Sequence, residues 1–263
     1  MSKSFVAGFV AGIALLIVVG VGASRLNRKD PSQQKDEAAQ RKHEADLAAE
    51  LADSTPVQSG VLTERQRAHS KLFSDYKQQR GERTISFLAR NATDGVAGTT
   101  VLIGQGQLLY PDVPENYFGK LSRESDSVVR GRVVRKTSQI TEDDAFIFTD
   151  YDVEIAEILK NNSATPLSRG AIITVTRPGG KVVLDGTIVK AADLAFSPLP
   201  ANHDLLLFLK FVPETGAYQT THATGAFDLE GPTVLPLTKA DFPPGVLQGR
   251  ESFLQTVQHV SGK

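Results

Sequence analysis

The sequence has no cysteine and no tryptophan, and its 263 residues include only one methionine. The absence of cysteine excludes disulfides, thiolate metal sites, cysteine nucleophiles and a lipid-modified N-terminal cysteine. Without tryptophan, a ligand groove lined by aromatic rings has few residues to draw on. Composition is otherwise ordinary for a globular protein, with 40% hydrophobic and 22% charged residues, so the chain can form a packed core.

A large excess of charge of one sign is also missing. The net charge is −1, which gives no indication of a polyanionic partner, so nucleic acid is not the expected ligand. The sequence contains no G-x-x-x-x-G-K-[ST], G-x-S-x-G or H-E-x-x-H pattern. These are the patterns of phosphate loops, hydrolase nucleophiles and zinc proteases. We therefore predict no cofactor.

One uninterrupted apolar segment is present near the N-terminus, Phe5–Ala23. As a helix it would rise roughly 28 Å, about the thickness of the hydrocarbon core of a bilayer. We therefore interpret residues 1–24 as a retained transmembrane anchor. The alternative is a cleaved signal peptide with Lys3 in front and Val21-Gly22-Ala23 as its cleavage site, but the apolar segment exceeds the usual length of roughly 7–15 residues.

The flanks of this segment bear on its orientation. Basic residues are more numerous at 25–29 than around Lys3, and a positive-inside count would leave the C-terminal flank in the cytoplasm. We nevertheless expect a periplasmic or otherwise extracytoplasmic body, because a β-rich domain behind an N-terminal signal anchor is a common arrangement. Gly8 and Gly12 match a small-xxx-small pattern that could support a homodimer of the membrane helix.

The rest of the chain divides by composition into four parts. Residues 25–60 are rich in Ala, Glu, Lys and Arg and predict a helical stalk that ends in a linker. Residues 61–98 predict a short helical lead-in, with Thr63 as a candidate N-cap. Residues 99–238 contain short β-type segments separated by turn residues, and residues 239–263 end in an amphipathic helix. The predicted fold class is mainly β with flanking helices.

Within the β region, the clearest pair of strands is 127–140 and 145–159. We expect them to form a hairpin in which Val133 faces Tyr151 and Arg132 faces Asp152, because this register keeps apolar residues on one face and opposite charges on the other. Asp185-Gly186 predicts a two-residue hairpin turn. Residues 203–212 predict a buried central strand, and residues 111–117 a loop.

Asp150, Asp152 and Glu154 alternate along one predicted strand and therefore share a face. Three carboxylates in a row could hold a divalent cation or act in acid–base catalysis. The alternative is an outward sheet face neutralised by Arg130 and Arg132, which we prefer because calcium sites normally form on curved, glycine-containing loops.

His203, Asp204 and His222 form a second candidate group. Two histidines and a carboxylate could be three zinc ligands if the last hairpin brought them together. Their spacing matches no zinc motif, so a polar residue at a strand end and a loop histidine are the preferred roles.

Several segments between about residues 120 and 230 resemble one known kind of protein. They are SDSVVRGRVV, FTDYDVEIAEILKNN, ITVTRPGG, HDLLLFLK and GAFDL. They are similar to motifs of uncharacterised exported or membrane-anchored bacterial proteins that carry a small OB-like or netrin-like β-barrel. The resemblance implies a barrel and implies no activity and no catalytic residues. The chain departs from the pattern at His203-Asp204, which replaces the usual Gly-Glu-type residues before the LLLFL strand.

Three functions follow as expectations. The first is a membrane-tethered binding or interaction module of the cell envelope, attached to the membrane by residues 5–23 and able to meet an envelope protein. The second is an envelope hydrolase or metal-dependent enzyme that uses one of the two polar groups described above. The third is an oligonucleotide-binding barrel, whose local candidates for base stacking and phosphate contact are Phe146, Phe148, Arg135 and Lys136.

Overall fold

Strands make up most of the regular structure in the computed structural model, and helices flank them. The structure describes residues 31–57, 62–76, 84–92, 95–101, 114–238, 242, 247 and 249–262. The chain divides into two units, residues 1–45 and 46–263. Of the first unit, only the beginning of one helix is described. The predicted fold class, mainly β with flanking helices, is confirmed.

Five helices are described, and the first of them begins in the first unit of the chain. They are α1 (Pro31–Ala52), α2 (Glu64–Lys71), α3 (Ile85–Arg90), α4 (Pro114–Glu124) and α5 (Arg250–Ser261). The side chain of Thr63 accepts a hydrogen bond from the backbone N–H of Gln66 at 3.1 Å, so the predicted N-cap of α2 is confirmed. None of the helices between residues 31 and 262 that the structure describes is both long and apolar enough to cross a membrane. The predicted anchor Phe5–Ala23, with Gly8 and Gly12, lies outside the described residues.

Eleven strands are described. They are β1 (Thr55–Pro56), β2 (Val96–Val101), β3 (Ser127–Ile140), β4 (Ile147–Lys160), β5 (Ile172–Pro178), β6 (Gly180–Leu184), β7 (Thr187–Asp193), β8 (Leu205–Val212), β9 (Ala217–Thr220), β10 (Ala226–Asp228) and β11 (Leu235–Pro236). Asp185 and Gly186 connect β6 to β7 with φ values of 50° and 79°, the positive φ that a type I′ hairpin turn requires. This predicted hairpin is confirmed.

The strands form two sheets. The larger has the order β11-β10-β8-β3-β4-β5-β9, and β9 also pairs with β8. The pairings β8-β3-β4-β5-β9 therefore return to β8 and form a ring, but β5 meets β9 through a single residue pair, Val175 with Tyr218. The smaller sheet has the order β1-β6-β7-β2. The chain passes from one sheet to the other at Gly179, where φ is 91°.

Three hydrophobic clusters hold these elements together. The first lies among the strands of the ring and includes Val133, Tyr151 and Val153. The second joins the α2–α3 region and the smaller sheet to the β3–β4 hairpin, and Phe148 is one of its members. The third packs α4 and α5 against the ring and is built around Phe118. Because burial of apolar area is the main favourable term in folding, these clusters fix where each sheet face points.

The register of the β3–β4 hairpin differs from the predicted one. Val133 faces Val153, Arg132 faces Glu154 and Arg135 faces Asp152. The prediction was wrong because it assumed a turn of four polar residues, 141–144. The observed turn extends over residues 141–146, since Ile140 pairs with Ile147. Register shifts along the two strands, one of them where Val134 has no partner, then change the pairing further.

A second difference is α4, which occupies Pro114–Glu124 where residues up to 117 were predicted to be loop. Its buried side chains include Tyr117, Phe118 and Leu121. These positions are spaced i, i+1 and i+4, which is the spacing of one helix face. The prediction of a loop was wrong because the proline and glycine residues in and near this short segment favour a loop and outweighed the helical spacing.

Candidate polar cleft on the outer face of the ring

A polar cleft of about 350 Å³ lies on the outer face of β3 and β4, between α2 and β1. Most of its lining residues carry a hydroxyl, an amide or a charge. They are Thr55, Pro56, Val57, Thr63, Arg65, Gln66, Arg135, Thr137, Ser138, Gln139, Asp150 and Asp152. Ligand sites are usually concave and present a few fixed polar groups, so this cleft is the first candidate for a functional site.

The helix α2 covers one side of the cleft with a polar face. Gln66, His69 and Ser70 are its buried residues, and the hydrogen bonds that they form attach it to the β3–β4 hairpin. Gln66 donates from Nε2 to the carbonyl of Ile140 at 3.2 Å, and Ser70 Oγ accepts from the N–H of Glu142 at 2.6 Å. Since buried polar groups are costly without partners, these bonds fix the position of α2 over the strands.

Asp150 is the centre of this attachment. Its side chain is almost fully buried, and Nδ1 of His69, which is 0% exposed, donates to its two oxygens at 2.8 and 3.0 Å. Nε2 of Gln139 donates to the same carboxylate at 2.8 Å. A carboxylate accepts only, so these contacts fix the proton of His69 on Nδ1. Nε2 of His69 is buried and has no hydrogen-bond partner among the residues that the structure describes.

Asp152 lies two residues further along β4 and faces the same cleft. Arg135 donates from Nε to Asp152 at 2.7 Å, and the hydroxyl of Thr174 donates to it at 3.2 Å. Arg65 of α2 contacts both Thr174 and, at 4.0 Å, Asp150. The cleft therefore presents two fixed carboxylates and two guanidinium groups, of which Arg65 and Arg135 remain 52% and 73% exposed.

Of the three carboxylates predicted to act together, the structure brings two to this cleft. Asp150 and Asp152 line it, whereas Glu154 is exposed opposite Arg132 and does not. The predicted partner Arg130 binds elsewhere, since its Nε and one terminal nitrogen donate to Asp204. The acidic row is therefore divided between a buried network and an exposed sheet face.

The second predicted group is not brought together as a three-ligand site. Nδ1 of His203 is 2.7 Å from Asp228, and Nε2 of His222 is 2.6 Å from Glu124. The side chain of Asp204 is buried and accepts hydrogen bonds from Arg130 and Arg250. Over the described ranges of the chain, no three His, Cys, Asp or Glu side chains are grouped closely enough to hold a metal ion.

The residues proposed for base stacking are in the core. Phe146 and Phe148 are each 0% exposed and stack on Tyr76 and Phe73 at centroid distances of 4.2 and 5.1 Å. A base can stack only on an accessible ring face, so the two phenylalanines cannot serve an oligonucleotide in this structure. Lys136 is paired with Asp53.

Sequence reasoning did not predict that His69, Arg65 or Thr55 would belong to a site. His69 meets Asp150 across 81 positions of sequence, and no local pattern reports so distant a contact. The available signal was the polar character of α2 at Gln66, His69 and Ser70, positions spaced i, i+3 and i+4, as on one helix face.

Comparison with known proteins does not indicate what this cleft binds. No protein-family model matches the sequence, and no curated protein matches it significantly.

Proposed function

We propose that the protein is a membrane-tethered binding module of the cell envelope and that the polar cleft under α2 holds its ligand. The single observation that carries the proposal is the paired arrangement of the cleft wall. Asp150 and Asp152 are held in place by hydrogen bonds, while Arg65 and Arg135 keep half or more of their surface exposed. Such a wall presents fixed acceptors beside accessible donors, which suits a polar ligand with groups of both kinds.

The network supports binding more than hydrolysis. A general base needs a nucleophile within reach. The imidazole of His69 is buried, and its Nε2 lacks a hydroxyl partner in the portion of the chain that the structure describes. Arg135 and Thr174 engage Asp152. His69 and Asp152, the groups that would have to act as a base, thus already hold the wall of the cleft in place through their hydrogen bonds.

We propose further that the ring β8-β3-β4-β5-β9 is an OB-like barrel. Two features support this: the ring of pairings, and its mixture of antiparallel pairs with one parallel contact between β5 and β9. OB-folds are five-stranded, partly open barrels that bind ligands on the face of their second and third strands. The second strand of the ring in chain order, β4, supplies Asp150 and Asp152 to the cleft, which supports a binding site on this part of the ring.

The experiment is a thermal-shift screen of the full-length chain in detergent against small polar compounds such as sugars, amino acids and dipeptides. We expect at least one compound to stabilise the protein in a saturable way, and Arg135→Ala to reduce that effect at least fivefold. Arg132→Ala is the matched control, because Arg132 lies on the same strand, is exposed, and does not line the cleft. Equal losses in the two variants would refute the assignment of the cleft.

A further inference from the structure

Arg177 at the end of β5 is a buried cation held by backbone carbonyls. Its exposure is 2%, and its terminal nitrogens donate to the carbonyl oxygens of Ser197 at 2.8 Å and Leu237 at 3.2 Å. Its guanidinium lies 5.0 Å from the ring centroid of Phe196. Burial lowers the pKa of Arg177 to about 10, so the group is still charged at neutral pH. A buried charge is costly unless compensated.

The compensation by carbonyls is incomplete. Nε of Arg177 has no hydrogen-bond partner within the described part of the chain, although it is fully buried. Asp193 lies close enough to act on Arg177 electrostatically, but its carboxylate accepts the hydroxyl of Tyr76 at 2.6 Å. Because one N–H of the guanidinium lacks a partner, the positive charge of Arg177 is only partly compensated, and this favours an anion close to it.

Arg177 lines a cavity of about 80 Å³ between the ring and the smaller sheet. One water molecule occupies about 30 Å³ in the liquid, so the cavity has room for a small ion. Lys136 and Lys181 also line it, and Asp53, just after the end of α1, is the one carboxylate among its described lining residues. Within the described part of the chain, three cations and one anion therefore line this space.

Asp53 shows how the two lysines hold an oxyanion. One of its carboxylate oxygens pairs with Lys136, and the other lies 2.8 Å from Nζ of Lys181. Glu50, one helical turn earlier, pairs with Lys181 at 2.7 Å and with Lys190 at 2.8 Å. Burial would raise the pKa of Asp53, but the hydrogen bonds from Lys136 and Lys181 lower it overall. The carboxylate therefore occupies the lysine side of the cavity as a fixed anion.

We propose that this cavity is an oxyanion-binding site formed by Arg177, Lys136 and Lys181, and that Asp53 competes with the bound anion for the two lysines. The ligand is a small phosphate, sulfate or carboxylate group that pairs with Lys136 and Lys181 beside the guanidinium of Arg177. Binding weakens the contact of the α1 end with the lysines, because both anions need the same donors. This site is separate from the polar cleft and does not depend on the function proposed for it.

The test is the melting temperature of the full-length chain as a function of inorganic phosphate, with ionic strength held constant by chloride. Replacement of Arg177 would also break its carbonyl contacts, so the test uses the partly exposed residues Lys136 and Asp53. We expect saturable stabilisation by phosphate, an apparent Kd at least fivefold weaker in Lys136→Gln, and one at least threefold tighter in Asp53→Asn. Parallel titrations with acetate show whether a carboxylate group fills the site as well as a phosphate group does, and saturation by either one supports the proposal.

The matched control is Lys210→Gln, which removes the same charge from an exposed position on β8 that does not line the cavity. We expect its affinity for phosphate to lie within twofold of that of the unmodified protein. Three results would each overturn the proposal. They are the absence of saturation by phosphate and acetate in both the unmodified protein and Asp53→Asn, equal weakening in the two lysine variants, and weaker binding in Asp53→Asn.

Discussion

Replacement of Asp150 by alanine should detach α2 from the strands beneath it. The carboxylate accepts hydrogen bonds from Nδ1 of His69 and Nε2 of Gln139, at 2.8–3.0 Å and 2.8 Å. His69 is fully buried, so its donor cannot turn to water after the substitution. The variant therefore leaves one donor buried without a partner and loses a second hydrogen bond at the edge of the cleft.

The size of the effect follows from these contacts. A buried donor left without its acceptor costs about 1–3 kcal/mol, and a hydrogen bond to a charged group contributes about 1.5–3 kcal/mol. For Asp150→Ala we therefore expect the free energy of unfolding to fall by about 3 kcal/mol. In a chain of this size, this corresponds to a drop of roughly 6–12 °C in melting temperature.

The assay is urea unfolding of the full-length chain, followed by circular dichroism. Glu154→Ala is the control, because Glu154 lies on the same strand but is exposed, and exposed substitutions usually change stability by less than about 0.5 kcal/mol. If Asp150→Ala costs no more than Glu154→Ala, the hydrogen-bond network does not hold α2 in place and the cleft has no fixed wall.

Three further predictions concern the turn, the sheet junction and the α1 end. Thr141→Val should cost about 1–3 kcal/mol in urea unfolding, because Oγ1 accepts two backbone N–H groups of the β3–β4 turn. Gly180→Ala should cost about 1–3 kcal/mol in the same assay, since the added methyl group would lie 2.6 Å from Oγ of Ser138. Hydrogen bonds from lysines lower the pKa of Glu50 and that of Asp53 below the ordinary carboxyl values, although partial burial alone would raise the pKa of Asp53. The unfolded state thus takes up these protons first as pH falls, so the stability that the two carboxylates contribute is present above about pH 4.5 and lost below it. The stability difference between the unmodified protein and Glu50→Gln/Asp53→Asn, measured by urea unfolding at pH 7 and pH 3, should therefore shrink at pH 3.

Local signals in the sequence predicted local structure well. The Asp185-Gly186 turn and the Thr63 cap depend on residues within a few positions of each other, and both are confirmed. The β3–β4 register depends on where Val134 and the other irregular positions interrupt the pairing. No residue type requires an interruption at one of these positions rather than the next, so the pattern of alternating side chains predicted the wrong partners.

The sequence predicted only part of the candidate site, again because the remaining part depends on contacts between distant segments. Alternation along β4 correctly placed Asp150 and Asp152 on one face, but it gave Glu154 the same status. The helix α2 makes the difference between Asp150 and Glu154. His69 and Arg65 of α2 contact Asp150, whereas Glu154, further along β4, is exposed. Such a long-range contact is decided by tertiary packing, which a single sequence does not encode in any local pattern.

The most direct test of the central claim uses the absence of cysteine from the chain. Single variants Thr137→Cys, inside the cleft, and Arg132→Cys, outside it, are labelled with a membrane-impermeant maleimide in intact cells and after purification. For a tethered, exported module with an occupied cleft, Arg132→Cys should react equally well in both settings, and Thr137→Cys should react several-fold more slowly in cells. The proposed export would be contradicted if Arg132→Cys reacted only after the inner membrane was opened. Ligand binding in the cleft would be contradicted if Thr137→Cys showed the same ratio of rates as Arg132→Cys.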